Sequence, residues 1–126
     1  MRNLAIIERA GRGTIEEQYA DILWLCRVLM RMRLPTTVLL RGNAVYYALR
    51  KSEPVTLDIA GQQIPAVWQQ DRSVAELLHE GVPVYASDED CRRLAIRAQD
   101  LVPGVVRTDL AGIAQLCNAH DRIWYW

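Results

Sequence analysis

The chain has 126 residues, of which 51% are hydrophobic and 24% charged, the size and composition of one ordinary globular domain. Fifteen Lys and Arg residues balance fifteen Asp and Glu residues, so the chain lacks the positive charge with which nucleic-acid-binding proteins neutralise phosphates. Its apolar stretches are too short to cross a bilayer, and the N-terminus lacks the hydrophobic region of a signal peptide. We therefore expect a single cytoplasmic domain over residues 1–126, with neither nucleic acid nor membrane as a partner.

The first part of the chain predicts two buried strands on either side of a long helix. Residues 4–7 form a short apolar run that ends at a Gly-Arg-Gly turn, as a buried strand would. A capping-box pattern at Thr14 predicts a helix that runs to about Met32. Residues 36–40 are β-branched and apolar, which predicts the second strand.

The middle of the chain has less regular patterning. Residues 44–50 suit a short helix. Residues 55–59 alternate apolar and polar side chains with the period of a strand, and residues 61–64 either return it as a hairpin or make an irregular excursion. A second capping box at Ser73 predicts a helix that ends at Gly81.

The last third of the chain continues the alternation of strands and helices. Its predicted elements are a strand at 82–86, a helix from Cys91 to about Ala98, a short strand at 105–106, a helix capped by Thr108 or Asp109, and a strand at 123–126. Parallel neighbouring strands require crossover connections, and helices supply them here. We therefore predict a three-layer α/β/α fold around a mostly parallel five-stranded sheet.

Three cysteines, Cys26, Cys91 and Cys117, are the candidates for covalent chemistry. Their odd number and the lack of a Cys-x-x-Cys pair argue against a disulfide framework and a metal site, and we expect no cofactor. Cys26 and Cys117 lie on apolar helical faces, where cysteine behaves as a small hydrophobe. Cys91 lies in a polar run, so we expect it to be exposed and to react first with a thiol reagent.

The polar neighbours of Cys91 suggest a binding site. Ser87 follows a predicted strand, at the sheet edge where ligands bind in open parallel sheets. Arg92, Arg93 and the amides of the first helical turn would stabilise a thiolate or persulfide, whereas the acidic residues at 88–90 oppose them. The sequence leaves the direction of the Cys91 pKa open. We expect segment 87–93 to border a crevice beside the loops at 11–14 and 41–43.

Nine aromatic residues, four Trp and five Tyr, are many for a core of this size. Large aromatic side chains are enriched at protein interfaces, so we expect some of them to form an oligomer contact. The predicted contact consists of Trp24, Val28, Met32, Tyr46, Tyr47 and Trp68.

Three segments and one cysteine resemble the DsrE/DsrF-like sulfur-relay family: residues 81–86 (GVPVYA), Cys91, residues 100–105 (DLVPGV) and residues 119–124 (AHDRIW). The resemblance spans most of the chain. It implies small α/β subunits that assemble into homo-oligomers or hetero-oligomers. In active members, a cysteine after the strand that matches residues 82–86 accepts sulfane sulfur as a persulfide and passes it to a partner protein.

This resemblance implies that the chain is a sulfurtransferase or persulfide carrier, with Cys91 as its reactive residue and sulfur donor and acceptor proteins as partners. Some subunits of such assemblies lack a reactive cysteine, so the alternative function is a non-catalytic oligomerisation or binding subunit of the same fold. A flavodoxin-like nucleotide or flavin binder is the third hypothesis. The sequence alone leaves these hypotheses open.

Overall fold

The computed structural model describes residues 1–9, 22–50, 56–65 and 70–126. Its strands are β1 (Asn3–Ile7), β2 (Thr36–Leu40), β3 (Thr56–Ile59), β4 (Gln62–Pro65), β5 (Val84–Ser87), β6 (Val106–Thr108) and β7 (Arg122–Tyr125). Its helices are α1 (Ile22–Arg31), α2 (Gln70–His79), α3 (Asp88–Arg93) and α4 (Leu110–Ala119), with 3₁₀ helices at Gly42–Ala48 and Ala98–Asp100.

Five of the described strands form one sheet in the order β6-β5-β2-β1-β7, and all neighbours are parallel. Successive crossovers add β2, β5 and β6 on one side of β1, and the chain then returns to add β7 on the other side. The other two strands, β3 and β4, form a separate antiparallel hairpin. The predicted α/β fold with a parallel five-stranded sheet is therefore confirmed.

Each face of the sheet packs against helices, because the central strands are apolar on both faces. One face carries alternate residues such as Ala5 and Val38, which belong to a core with α1, α2, α3 and the first 3₁₀ helix. The other face carries Leu4, Ile6 and Leu39, which pack with Ile113 of α4. Helices on both faces give the three layers.

Several element boundaries differ from the sequence prediction. Within the described residues the first helix covers Ile22–Arg31, and its predicted capping box at Thr14 lies outside them. Ser73 lies inside α2, which already includes Gln70, so the prediction that Ser73 caps this helix is wrong. The short helix predicted over residues 44–50 is a 3₁₀ helix over Gly42–Ala48, and of the two alternatives for the next segment the hairpin is present, as β3 and β4.

The helix predicted from Cys91 to Ala98 is shorter than expected and begins earlier. It covers Asp88–Arg93 and ends because Ala95 adopts a left-handed conformation with φ of 56°. The backbone N–H of Ile96 then donates to the Cys91 carbonyl across 2.8 Å, which closes the end of the helix. Helix α3 therefore has only six residues.

Candidate functional site

The predicted site lies where β5 passes directly into α3. Ser87 is the last residue of β5 and also the N-cap of α3, and its side chain accepts a hydrogen bond from the Asp90 backbone N–H across 3.4 Å. Ser87 is buried, and this bond caps the first turn of α3. The role of Ser87 as a binding residue stays a prediction, but its observed contact is structural.

The loop after β2 is attached to α3 by one hydrogen bond. The backbone N–H of Gly42 donates to Asp90 Oδ2 across 2.9 Å. This contact confirms that segment 87–93 lies beside the 41–43 loop, at the carboxyl edge of the sheet. The 11–14 loop, which we expected at the same edge, lies outside the described residues.

Cys91 is completely buried, with an exposed fraction of 0%, and the expectation that it is exposed is wrong. It belongs to the apolar core together with Ala86, Ile96 and residues of α1 and α2. The polar residues around it in sequence misled the prediction, because a helix of six residues still presents one face to the core, and Cys91 is on that face.

The environment of Cys91 does not activate the thiol. Burial raises the pKa of Cys91, since the charged thiolate would lose its hydration. The positive charge of Arg107 opposes this rise, and the carboxylates of Asp88 and Asp90 add to it. The sequence left the direction of the Cys91 pKa shift open, and the structure shows that the shift is upward. A reactive thiolate requires a lowered pKa.

Arg92 and Arg93 both point back to acidic residues of their own helix. Arg92 pairs with Asp88 across 2.7 Å, and Arg93 pairs with Asp90 across 3.2 Å. Asp88 also pairs with Arg107 of β6 across 2.6 Å. These ion pairs neutralise the acidic helix start, so the described contacts of Arg92 and Arg93 are with carboxylates and not with the Cys91 sulfur.

An open depression of about 550 Å³ lies between the amino ends of α3 and α4. Its lining residues are Glu89, Arg92, Asp109, Leu110 and Ala111. Arg92 is the one predicted site residue in this lining, and Cys91 does not contribute to it. A depression with two carboxylates and a paired guanidinium offers little attraction to an anion.

The other two cysteines also differ in exposure. Cys26 is buried in the same core as Cys91, as expected. Cys117 of α4 is half-buried, so the prediction that it is core holds only in part. Among the three cysteines, Cys117 therefore has the largest exposed fraction.

No metal centre is visible in the parts of the chain that the structure describes, since no three His, Cys, Asp or Glu residues come together there. The described helices are also all too short or too polar to cross a membrane.

The residues expected to form an oligomer contact differ in exposure. Trp24, Met32 and Tyr46 are exposed, whereas Val28 is half-buried. Tyr47 is buried in the core, so its inclusion in the contact was wrong, and Trp68 lies outside the described residues.

A second apolar surface, not predicted from the sequence, lies on β7. All four residues of this edge strand are exposed, including the three large apolar side chains Ile123, Trp124 and Tyr125. A strand was predicted at residues 123–126 without a position in the sheet, and only the sheet order shows that it is at an edge.

Comparison with known proteins identifies the fold. No family model matches the sequence, and no curated protein matches it either. Among solved structures, the YchN protein from E. coli superposes over 100% of both chains with a TM-score of 0.73 and 19% identity. MTH1491 from Methanobacterium thermoautotrophicum, described as a protein of unknown function, covers 99% of this chain and 98% of its own, with a TM-score of 0.68 and 17% identity.

These matches show that the chain has the DsrE-like α/β fold that it shares with YchN. At sequence identities of 19% and 17%, these superpositions establish a common fold and no more. The function is therefore argued from the site itself.

Proposed function

We propose that this protein is a non-catalytic assembly or binding subunit with the DsrE-like fold. The burial of Cys91 carries the proposal. A persulfide carrier must bring its sulfur into contact with a donor protein and then with an acceptor, and a thiol without exposed surface can do neither. A raised pKa further disfavours the thiolate that would attack a sulfur donor.

The competing hypothesis is that Cys91 carries a persulfide from a sulfur donor to an acceptor protein. To expose the thiol, α3 would have to move away from the sheet. That movement would break the Ser87 cap, the bond between Gly42 and Asp90, and the ion pair between Asp88 and Arg107. Three elements hold the helix in place, so the geometry favours a structural role for Cys91.

Exposed apolar side chains support the binding role. Large apolar side chains are exposed to solvent at several places in the structure. They are Trp24 of α1, Met32 directly after α1, Tyr46, and Ile123, Trp124 and Tyr125 of β7. Clusters of such groups are typical of surfaces that another molecule covers. We infer that the function of this chain is contact with a partner, not sulfur transfer through Cys91.

Sulfur loading followed by intact-mass measurement tests the proposal. The starting protein is Cys117→Ser, so that sulfur uptake at the half-buried Cys117 does not obscure the result for Cys91. After incubation with sodium polysulfide, we expect the folded protein to gain no sulfur. The same protein unfolded in urea serves as the positive control and should gain sulfur on its remaining thiols.

Sulfur uptake by the folded protein at Cys91 would contradict the proposal. If folded Cys117→Ser gains the mass of one sulfur atom, and Cys91→Ala in that background does not, then Cys91 carries a persulfide and the proposal is wrong. Alanine is the better replacement because it keeps the buried position apolar.

A further inference from the structure

The edge strand β7 differs from the edge strand at the other side of the sheet. Every residue of β7 is exposed, and Ile123, Trp124 and Tyr125 give it a continuous apolar sequence. The opposite edge, β6, has three residues, and the Arg107 side chain there is held by Asp88. An exposed apolar edge strand invites pairing with another strand.

The backbone of β7 can pair with a further strand at two positions, Ile123 and Tyr125. Arg122 and Trp126 use their N–H groups to donate to the carbonyls of Arg2 and Ile6, so these residues face β1. Backbone groups alternate in direction along a strand. Ile123 and Tyr125 therefore direct their N–H and C=O groups away from the sheet.

We propose that β7 pairs antiparallel with β7 of a second copy of this chain, about a two-fold axis at Trp124, so that the two sheets join into one. This inference rests on the proposed assembly role and names the partner and the surface. The contact is isologous, because each copy contributes the same strand.

The register follows from the symmetry. In an antiparallel pair, residues directly opposite have side chains on the same face. A two-fold axis perpendicular to the sheet keeps each residue and its copy on the same face. The axis must therefore lie between the strands at a point where one residue is directly opposite its own copy. With the axis at Trp124, Ile123 of each copy lies opposite Tyr125 of the other. Those are the two residues whose backbone groups point outward, and all four of their bonds between the strands can form.

The side chains are complementary in this register. Ile123 meets the ring of Tyr125 of the second copy, an aliphatic and aromatic pair of the kind that stabilises neighbouring strands. Trp124 meets Trp124, and each is already stacked on its own Trp126 at a centroid distance of 6.0 Å. Arg122 lies opposite Trp126 of the second copy, where its charge can interact with the indole face.

The charge pattern also fits pairing with a second copy of this chain. In this register no two like charges face each other directly, and Arg122 has no ion pair among the described residues that the contact would break. Because β7 has only four residues, the contact falls at the small end of specific interfaces, below roughly 1,200 Å² in total. We therefore expect a dimer that dissociates on dilution.

Sedimentation equilibrium across the micromolar range tests the inference with two matched variants. Ile123→Glu places a carboxylate opposite Tyr125, whose hydroxyl already donates to the Glu8 carboxylate. We expect this change to weaken dimerisation at least about tenfold. Val106→Glu makes a comparable change on the opposite edge, where Val106 is 53% exposed against 48% for Ile123, and should leave the dimer intact.

Cross-linking tests the register. In the Cys117→Ser background, Trp124→Cys places two thiols opposite each other, and oxidised glutathione should join them through a disulfide between the copies. Tyr125→Cys faces Ile123 and should cross-link far less. A monomer at all concentrations, a dimer lost in Val106→Glu but not in Ile123→Glu, or preferential cross-linking of Tyr125→Cys would overturn the inference. Sulfur uptake by Cys91 would contradict the proposed function and leave these results unchanged.

Discussion

Asp90 of α3 accepts a hydrogen bond from the backbone N–H of Gly42 across 2.9 Å, and this bond joins the helix that contains Cys91 to the loop after β2. Gly42 has a positive φ of 54°, a conformation that glycine adopts without strain. The bond therefore depends on a carboxylate and on a glycine from two different elements. It helps to keep Cys91 in the core.

Removal of the Asp90 carboxylate is expected to destabilise the protein. Burial alone would raise the pKa of Asp90, but hydrogen bonds from Gly42, Ser87 and Arg93 outweigh it and lower the pKa below its ordinary value of 3.8. We expect Asp90→Ala to reduce the free energy of unfolding by about 1–3 kcal/mol at neutral pH, as measured by urea denaturation. Glu89→Gln, an exposed acidic residue in the same turn, is the control and should have little effect.

The effect of Asp90→Ala should also depend on pH. A group whose pKa is lower in the folded state stabilises that state fully above the pKa of the unfolded chain. The contribution is lost as pH falls through the lower folded-state pKa. The stability difference between wild type and Asp90→Ala should therefore shrink below pH 3.8. A difference that stays constant there would contradict the assigned bonds.

Replacement of Ala95 by glycine is expected to stabilise the protein. Ala95 ends α3 with φ of 56°, a left-handed conformation that costs a residue with a Cβ atom about 1 kcal/mol relative to glycine. We expect Ala95→Gly to raise the melting temperature. Ala114→Gly, at an exposed position inside α4, should lower it because glycine is unfavourable in a helix interior. A loss of stability in Ala95→Gly would show that the left-handed turn is not populated.

Timed alkylation should modify the cysteines in an order set by burial. Cys117 is half-buried, whereas Cys26 and Cys91 are fully buried. We expect iodoacetamide to modify Cys117 first in the folded protein, with peptide mass spectrometry to identify the site. Cys117→Ser should leave a folded protein that reacts very slowly. Faster modification of either buried cysteine would contradict the packing described above.

Much of the fold could be predicted because its strongest sequence patterns, apolar runs and helix caps, each lie within a few consecutive residues. The apolar runs at β1 and β2 and the N-cap of α4 at Asp109 identify buried strands and a helix start directly. The weaker predictions depended on tertiary contacts. Ser73 has the pattern of a cap but lies inside α2, and Ala95 ends α3 in a conformation that its residue type does not favour.

The candidate site was harder to predict than the fold. Cys91 is flanked by charged residues in sequence, yet the side chains at positions 88, 90, 92 and 93 pair with one another or with Arg107, and Cys91 turns to the core. Flanking polarity reports on neighbouring side chains and not on the direction of the residue between them. Likewise, the apolar sequence of β7 could not reveal an edge strand, because sheet order depends on residues far away in sequence.

The burial of Cys91 carries the proposed function, and the free energy of the opening that exposes its thiol tests that burial most directly. In Cys117→Ser, the alkylation rate of Cys91 is followed by peptide mass spectrometry over a series of urea concentrations below the unfolding transition. We predict that the free energy of opening at Cys91 approaches that of global unfolding and falls with urea with a similar slope. Alkylation of Cys91 in the folded protein at the rate of an exposed thiol, without dependence on urea, would contradict the account.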